Sequence, residues 1–206
     1  MDTGLRSPTF RQTLNMGGRL LVALLGMMQA QVEEATFGGG CFWCTEALFK
    51  QLKGVIEVYP GYAGGHVPNP TYEQVCTKTT GHAEVVRVRF NPSVISYEQL
   101  VEYFFLTHDP TTPDRQGNDI GPQYRSVIFY HSEAQREIAE RVKARLEAQR
   151  IFAAPIVTAI EPLRNFYPAE DYHRDYFARN PDQAYCRFVI APKVQKAREK
   201  FKPLLR

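Results

Sequence analysis

The sequence predicts an α+β domain in which helices pack on a mixed or antiparallel sheet. Short runs with alternating apolar residues, such as residues 55–59, are typical of strands. A capping pattern at Ser96, followed by apolar residues on one side of the next turns, predicts an amphipathic helix. Strands and helices follow one another without strict alternation, which distinguishes the pattern from that of a parallel α/β sheet.

The individual elements are predicted in chain order from the same signals. The predicted strands are 35–37, 55–59, 82–90, 126–130 and 156–160. The predicted helices are 41–52, 96–107, 132–149, part of 166–179, and 192–201. Pro60-Gly61 is expected to turn the chain out of its strand. The following residues 62–80 are then a surface loop that borders a site, and 109–123 form a second irregular stretch.

Length and composition fit one globular domain of ordinary type. The chain has 206 residues, 44% hydrophobic and 23% charged, which is enough to bury a sizeable core. The formal net charge of +3 is small and dispersed. Because no basic run is interleaved with aromatic residues, the sequence predicts no nucleic-acid partner.

Residues 1–33 differ in composition and are predicted to be a signal peptide or an N-terminal extension, with the catalytic domain at 34–206. Three arginines precede the apolar run 20–28, which ends at Ala30. This order is the signal-peptide pattern, and the run is too short to span a bilayer. Cleavage near Ala30 would make the protein periplasmic or secreted, with no membrane anchor. The alternative is a short helix packed on the domain of a cytoplasmic protein.

The stretch 38–46, Gly-Gly-Gly-Cys-Phe-Trp-Cys-Thr-Glu, carries the strongest chemical signal. Its three glycines allow a sharp turn and a close approach to a ligand, and helix-forming residues follow, so Cys41 is expected at a helix N-terminus. Unpaired N–H groups there favour an anion, which predicts a lowered pKa and a nucleophilic thiolate. Cys44 lies one helical turn away, within reach of a disulfide. Phe42 and Trp43 place apolar surface beside the thiol.

Two other interpretations of the cysteine pair remain open at this point. The pair has the spacing of half a structural zinc site, but Cys76 and Cys186 stand alone and no second close pair completes four ligands. The same spacing occurs in thioredoxin-like redox motifs, which carry other residues between the cysteines and lack the glycine triplet. A zinc-dependent binding module and a general thiol-disulfide oxidoreductase are therefore the competing functional classes.

Five separated motifs resemble those of the A-type peptide methionine sulfoxide reductases, in that family's order. They are Gly-Cys-Phe-Trp at 40–43, Gly-Tyr-Ala-Gly-Gly at 61–65, Gly-His-Ala-Glu-Val-Val at 81–86, Gly-Asn-Asp with Gln-Tyr-Arg-Ser at 117–126, and Asp-Tyr-His at 171–173. The resemblance extends over residues 36–193 and points to the subtype with Gly-Cys-Phe-Trp-Cys. It implies a two-layer plait with a ferredoxin-like core and long loops around the catalytic helix.

The resemblance also implies roles for the reacting residues. A sulfoxide is a poor electrophile until its oxygen is protonated or hydrogen-bonded, so a reductase needs both a thiolate and an acid. Cys41 matches the family's nucleophile and Glu84 its catalytic glutamate, and burial of Glu84 in a strand would raise its pKa and keep its proton. Without the motif, Glu84 would be interpreted as a surface residue paired with Arg87 or Arg89.

Other matched residues are expected to bind the sulfoxide. Tyr62 and Tyr124 are the candidate donors to its oxygen. Phe42 and Trp43 would seat the methyl group, whose burial is worth about 0.8 kcal/mol, although ordinary core packing is the alternative for both. Asp119 resembles an aspartate that orders water and donors, with a turn role as the alternative. No metal and no cofactor are predicted.

The primary functional prediction is reduction of methionine S-sulfoxide, free or in oxidised proteins, by a monomer. Cys41 attacks the sulfur and becomes a sulfenic acid, and a second thiol then forms a disulfide that a thioredoxin-type dithiol protein reduces. Cys76 and Cys186 are expected to be small core residues. Many family members resolve with cysteines near a glycine-rich tail, which this chain lacks, so Cys44 is the predicted resolving cysteine.

Overall fold

The computed structural model describes Met1 and residues 31–206, and Gln31–Arg206 form one compact unit. Most of the predicted signal segment, residues 2–30, lies outside the described residues. Among the helices that are described, none is long and apolar enough to cross a membrane.

The described chain contains short strands and helices in mixed order. The strands are β1 (Glu33–Gly39), β2 (Val55–Ala63), β3 (Ala83–Phe90), β4 (Arg115–Gln116), β5 (Asp119–Ile120), β6 (Ser126–Tyr130), β7 (Ala159–Pro162) and β8 (Phe166–Pro168). The helices are α1 (Phe42–Phe49), α2 (Tyr72–Cys76), α3 (Tyr97–Thr107), α4 (Glu133–Ala148), α5 (Tyr176–Arg179) and α6 (Ala191–Lys200). A π-helical turn, Cys186–Ile190, runs directly into α6.

The main sheet has the strand order β7-β6-β1-β3-β2-β8. Its neighbours are antiparallel except β6 and β7, which are parallel. The inner strands β6-β1-β3-β2, with α1 after β1 and α3 after β3, form the β-α-β-β-α-β arrangement of a ferredoxin-like plait. The predicted α+β class is therefore confirmed, and β7 and β8 extend the plait at its two edges.

The alternation of residues along β3 directs one polar side chain toward the helices. Val86, Val88 and Phe90 belong to the main core with α1 and α3, whereas Val85 belongs to a smaller cluster on the other face of the sheet. Side chains two residues apart share a face of a strand. Glu84 therefore lies on the helix-covered face, at the end of β3 where α1 begins.

The predicted turn at Pro60-Gly61 is wrong, because β2 continues through it to Ala63. Pro60 pairs with Val86 of β3, and its carbonyl accepts a hydrogen bond from Ala169 N at 3.0 Å. In a β-strand the N–H and C=O of one residue point to the same side. The Pro60 carbonyl points toward the residue that follows β8, so an N–H at this position would point there too, beyond the last residue of β8 that pairs with β2. Proline is tolerated there because no ladder bond is lost.

Several other boundaries differ from the sequence prediction. The first strand covers Glu33–Gly39, α1 ends at Phe49, and the strand expected at 156–160 forms at Ala159–Pro162. The predicted loop 62–80 contains α2, which begins with a capping box between Thr71 and Gln74. This short helix brings Tyr72 to the site described next.

Candidate active site

Cys41 is the N-cap residue of α1, as the sequence predicts. The glycines before it allow close packing against the protein itself rather than approach to a ligand. A Cβ at Gly39 would lie 2.8 Å from the Phe104 ring, and one at Gly40 would lie 2.6 Å from the Gln116 side chain. Gly40 also has a φ of +93°, which glycine adopts readily and other residues do not. The triplet therefore fixes where the thiol enters the helix.

Cys44 follows in the first turn of α1, and the pair faces inward. The Cys41 carbonyl accepts hydrogen bonds from the backbone N–H groups of Cys44 at 3.1 Å and Thr45 at 3.3 Å. Both thiols are buried, with exposed fractions of 8% for Cys41 and 3% for Cys44, and both are free. Besides burial, Cys44 raises the pKa of Cys41, whereas Cys41 lowers the pKa of Cys44.

Glu84 meets the same helix N-terminus from β3. Its carboxylate oxygen Oε2 accepts a hydrogen bond from the Phe42 backbone N–H at 3.0 Å. The residue is 1% exposed, and this burial raises its pKa to about 8 despite the Phe42 hydrogen bond. Glu84 therefore carries a proton at neutral pH. The predicted raised pKa is confirmed, and the alternative of a surface ion pair with Arg87 or Arg89 is wrong.

The pKa of Cys41 is raised, whereas the sequence predicts that it is lowered. Burial raises the pKa of this thiol well above its usual range, and its interactions with Cys44 and Glu84 raise it further. The backbone N–H of Trp43 lowers it, as expected at a helix N-terminus, but desolvation of the thiolate is the larger effect. The resting form is thus a protonated Cys41 beside Glu84, and removal of one proton from this pair generates the nucleophile.

The rings of Phe42 and Trp43, which follow Cys41 in α1, pack in an aromatic cluster with His173 and Tyr176. Phe42 is 1% exposed, and its ring contacts His173 with centroids 4.9 Å apart. Trp43 is half-buried, and its indole stacks on Tyr176 at 3.7 Å with an interplanar angle of 6°. The indole N–H donates to Nδ1 of His173 at 3.1 Å, which fixes the ring orientation. The methyl seat expected at Phe42 and Trp43 stays a prediction, because both rings pack against other aromatic side chains.

The two predicted tyrosine donors are placed differently. Tyr62 lies opposite Glu84 in the β2–β3 ladder, and its buried hydroxyl donates to Oε2 of Glu170 at 2.8 Å. Tyr124 ends a 3₁₀ turn that follows Gly121 and is half-buried; burial raises its pKa, and the charges of Glu84 and Cys41 raise it further. Its hydroxyl is not committed to a recorded partner among the described residues, whereas Tyr62 would have to release Glu170 in order to donate elsewhere.

Asp119 lies in the β4–β5 hairpin and accepts a hydrogen bond from the Tyr185 hydroxyl at 2.7 Å. The same hydroxyl is 3.8 Å from Sγ of Cys44. Asp119 therefore orients a donor group next to the cysteine pair, which agrees with the ordering role implied by the resemblance. The hairpin fold also makes it a turn-adjacent residue, so the two interpretations are compatible.

Sequence reasoning missed several residues that surround these groups. They come from α2, the segment 170–176 and the C-terminal region: Tyr72, Glu170, Tyr176, Tyr185 and Lys193. No local pattern marks them, although the matched Asp-Tyr-His motif at 171–173 lies beside two of them. The expectation that Cys186 is a core residue is confirmed, and the same expectation for Cys76 is wrong because Cys76 is exposed.

The arrangement combines a buried thiol, a protonated carboxyl, a second thiol and the aromatic rings of Phe42 and Trp43. A carboxyl with a pKa of about 8 gives up its proton most usefully near neutral pH. A second thiol one turn away can close a disulfide after the first sulfur is oxidised. These groups suit a substrate that is small, partly apolar and reduced by two electrons at a polar oxygen.

The chain is similar to known proteins both in sequence and in structure. A profile described as peptide methionine sulfoxide reductase matches residues 33–204. "Peptide methionine sulfoxide reductase MsrA" of Thermus thermophilus is 63% identical over 174 residues, which cover 84% of this chain and 98% of that protein. The crystal structure of Mxr1 from Saccharomyces cerevisiae in reduced form has a TM-score of 0.72 and 38% identity, covering 77% of this chain and 91% of that chain.

A further solved structure holds a relative with a protein partner. It is Mxr1 from Saccharomyces cerevisiae in complex with Trx2, with a TM-score of 0.51 and 30% identity. The match covers 72% of this chain and 86% of that chain.

Proposed function

The chain belongs to the peptide methionine sulfoxide reductase family, and from that premise we propose how its own residues reduce a methionine sulfoxide. The protein is an oxidoreductase that uses a thioredoxin-type protein as reductant. The substrate in this proposal is the S epimer, free or within oxidised proteins. The observation that supports it most is the meeting of Cys41 and Glu84 at one helix N-terminus, with Phe42 N bonded to the carboxylate at 3.0 Å.

In the first step the Cys41 thiolate attacks the sulfoxide sulfur while Glu84 transfers its proton to the oxygen. The attack forms a bond between the two sulfurs; this bond and the substrate S–O bond then break as the protonated oxygen passes to the Cys41 sulfur, so that methionine leaves and Cys41 becomes a sulfenic acid. The rings of Phe42 and Trp43 hold the methyl group, and Tyr124 donates to the oxygen as its charge develops.

In the second step Cys44 attacks the sulfenic acid and closes a disulfide with Cys41. Joining two sulfurs across the first turn of α1 requires only local unwinding, because the turn is held by the two hydrogen bonds to the Cys41 carbonyl. Gly40 before the turn accommodates the change in backbone direction. The reductant then attacks this disulfide and restores both thiols. The complex of Mxr1 with Trx2 supports a thioredoxin-type protein in this role.

Reduction of separated sulfoxide epimers tests the substrate assignment. The purified protein is supplied with thioredoxin, thioredoxin reductase and NADPH, and consumption of NADPH is followed with the S and the R epimer of N-acetyl methionine sulfoxide. Turnover of the S epimer alone is expected, because the rings of Phe42 and Trp43 hold the methyl group on a fixed side of Cys41. Equal turnover of both epimers, or turnover of the R epimer alone, would contradict the assignment.

Replacing Cys44 separates the two steps. Cys44→Ser is expected to release methionine once per enzyme molecule and then to stop, because a serine hydroxyl cannot close a disulfide. The measurement is methionine formed per enzyme, with and without the thioredoxin system. Cys76→Ser is the matched control, since Cys76 is exposed and outside the pair, and it should cycle like the unmodified protein. Full cycling of Cys44→Ser would assign resolution to another cysteine.

For the N-terminal segment we propose export with cleavage near Ala30. The support is the arginine-flanked apolar run at 20–28. Mass spectrometry of the protein from its native host, taken from separated compartments, tests this directly. An intact N-terminus in the cytosolic fraction would contradict export.

A further inference from the structure

The sulfur of Cys44 has two polar neighbours besides Cys41. The Tyr185 hydroxyl is 3.8 Å away and the Lys193 ammonium is 4.0 Å away. Cys44 is only 3% exposed, so water does little to stabilise a thiolate at this position. A buried anion of this kind needs a charged or donating partner within the protein.

Tyr185 cannot be the sole donor to a Cys44 thiolate, because its hydroxyl has only one proton to donate. Its hydroxyl donates to Oδ2 of Asp119 at 2.7 Å, a short bond to a charged acceptor. With its proton committed there, Tyr185 can only accept from a protonated Cys44. Donation to a Cys44 thiolate would leave Asp119 without its partner, so Tyr185 lowers the pKa of Cys44 less than an uncommitted hydroxyl would.

His108 is the other basic group near this position, and it is neutral. Its Nδ1 lies 2.6 Å from the Phe104 carbonyl and its Nε2 lies 2.7 Å from the Ser126 hydroxyl. Burial lowers its pKa to about 4, so it carries no charge at neutral pH. Within the described residues Lys193 has no carboxylate at ion-pair distance, in contrast to Lys50, which pairs with Asp175.

The π-helical turn Cys186–Ile190 brings Lys193 to the same sulfur as Tyr185. Eight residues separate the two, which in a regular α-helix would turn them about 80° apart. The i→i+5 bonding of a π turn spreads its residues over a wider circle and reduces that offset. Lys193 is half-buried and lies between a narrow recess that contains Cys44 and a surface cleft of about 290 Å³.

We propose that the Lys193 ammonium is a catalytic counter-ion that holds Cys44 as a thiolate for disulfide formation. This inference rests on the proposed role of Cys44 as the resolving cysteine. The Cys44 sulfur attacks the Cys41 sulfenic acid, the S–S bond forms, the S–O bond of Cys41 breaks, and the oxygen leaves as water with a proton from solvent. When the reductant later attacks the Cys41 sulfur, Lys193 stabilises Cys44 as the departing thiolate.

Other groups near Cys44 also influence its titration. The Cys41 thiol, Tyr185 and Lys193 lower the pKa of Cys44, whereas burial and the charge of Asp119 raise it, and the balance is downward. Glu84, His108 and Cys186 also interact with Cys44 or Lys193, and Asp109, Lys196 and Lys200 line the cleft on the far side of Lys193 without contacting the Cys44 sulfur. Among the described groups that interact with the Cys44 sulfur, Lys193 is the one that is cationic at neutral pH.

The test measures the two steps separately in Lys193→Met. Reduced enzyme is mixed with excess methionine sulfoxide and no reductant, methionine is quantified for the first step, and loss of free thiols is quantified for the second. An ammonium 4.0 Å from the sulfur favours the thiolate, so its removal raises the pKa of Cys44 and is expected to slow the second step about tenfold. The ratio of disulfide formation to methionine formation is expected to fall by a similar factor, and its pH profile to move upward.

Two further variants control the result. Lys193→Arg retains the charge and should recover the second step, whereas Lys196→Met removes a lysine of the same cleft and should leave the ratio unchanged. If disulfide formation is equally fast in Lys193→Met while peptide mapping finds Cys41 joined to Cys44, the role of Lys193 is wrong and that of Cys44 stands. If mapping of the unmodified protein finds Cys41 joined to another cysteine, the proposed function of Cys44 fails first.

Discussion

Cys41→Ser is expected to abolish sulfoxide reduction, leaving no methionine above the uncatalysed background. A serine hydroxyl at this N-cap is not ionised by Glu84 or by the helix N-terminus and cannot form a sulfenic acid. The measurement is methionine released in a single turnover with excess sulfoxide. The effect is the largest available because every later step uses the oxidised Cys41 sulfur.

The fold of this variant should be intact. The Cys41 carbonyl accepts the hydrogen bonds that start α1, and these do not involve the sulfur. Thermal unfolding of Cys41→Ser should therefore resemble that of the unmodified protein. Cys186→Ser is a matched control, since it changes a buried cysteine that the first step does not use. Methionine release by Cys41→Ser at the rate of that control would contradict the mechanism.

Glu84→Gln is expected to slow the first step by about 10²–10⁴-fold, the range typical of general acid catalysis. Glutamine keeps an oxygen that can accept the Phe42 N–H bond, so the helix N-terminus retains its partner. It has no proton to transfer to the sulfoxide oxygen. A loss of less than tenfold in single-turnover methionine formation would assign Glu84 a structural role. It would also favour a general thiol-disulfide oxidoreductase, which does not need the carboxyl.

The pH dependence of the first step tests whether Cys41 and Glu84 react as a pair. With the pKa of Glu84 raised to about 8 and that of Cys41 raised by burial, both groups are protonated at low pH and no nucleophile exists. Loss of one proton from the pair gives the form that reacts, thiolate with carboxylic acid. The rate of the first step should rise as the pH approaches 8 and decline only at higher pH. In Glu84→Gln the decline at higher pH should disappear because no acid remains to lose its proton, and the rise should follow the Cys41 thiol alone.

Local patterns in the sequence predict the α+β class and the helix that begins at Cys41, whereas the family resemblance implies the plait and the role of Glu84. Alternation along β3 places Glu84 with Val86 and Val88 on one face, and the helix signals after Cys41 place the thiol at an N-terminus. Both follow from residue spacing within one element. The contact between them follows once β1 and β3 are neighbours in the sheet.

Other features depend on tertiary packing and could not be predicted in this way. Pro60 is typical of a turn, and only the position of β8 makes it acceptable inside β2. Tyr185 and Lys193 reach Cys44 from more than a hundred residues away, through a π turn that no local pattern predicts. The pKa of Cys41 is a balance between a helix N-terminus and burial, and only the folded environment decides its direction.

One measurement tests the central claim most directly. Fully reduced protein is mixed with one equivalent of methionine S-sulfoxide without any reductant, the methionine is quantified, and the protein is trapped in acid, alkylated and mapped by peptide mass spectrometry. The account predicts one equivalent of methionine and a disulfide that joins Cys41 to Cys44, with Cys76 and Cys186 recovered as alkylated thiols. Absence of methionine, or Cys41 joined to Cys186 or Cys76, would contradict it.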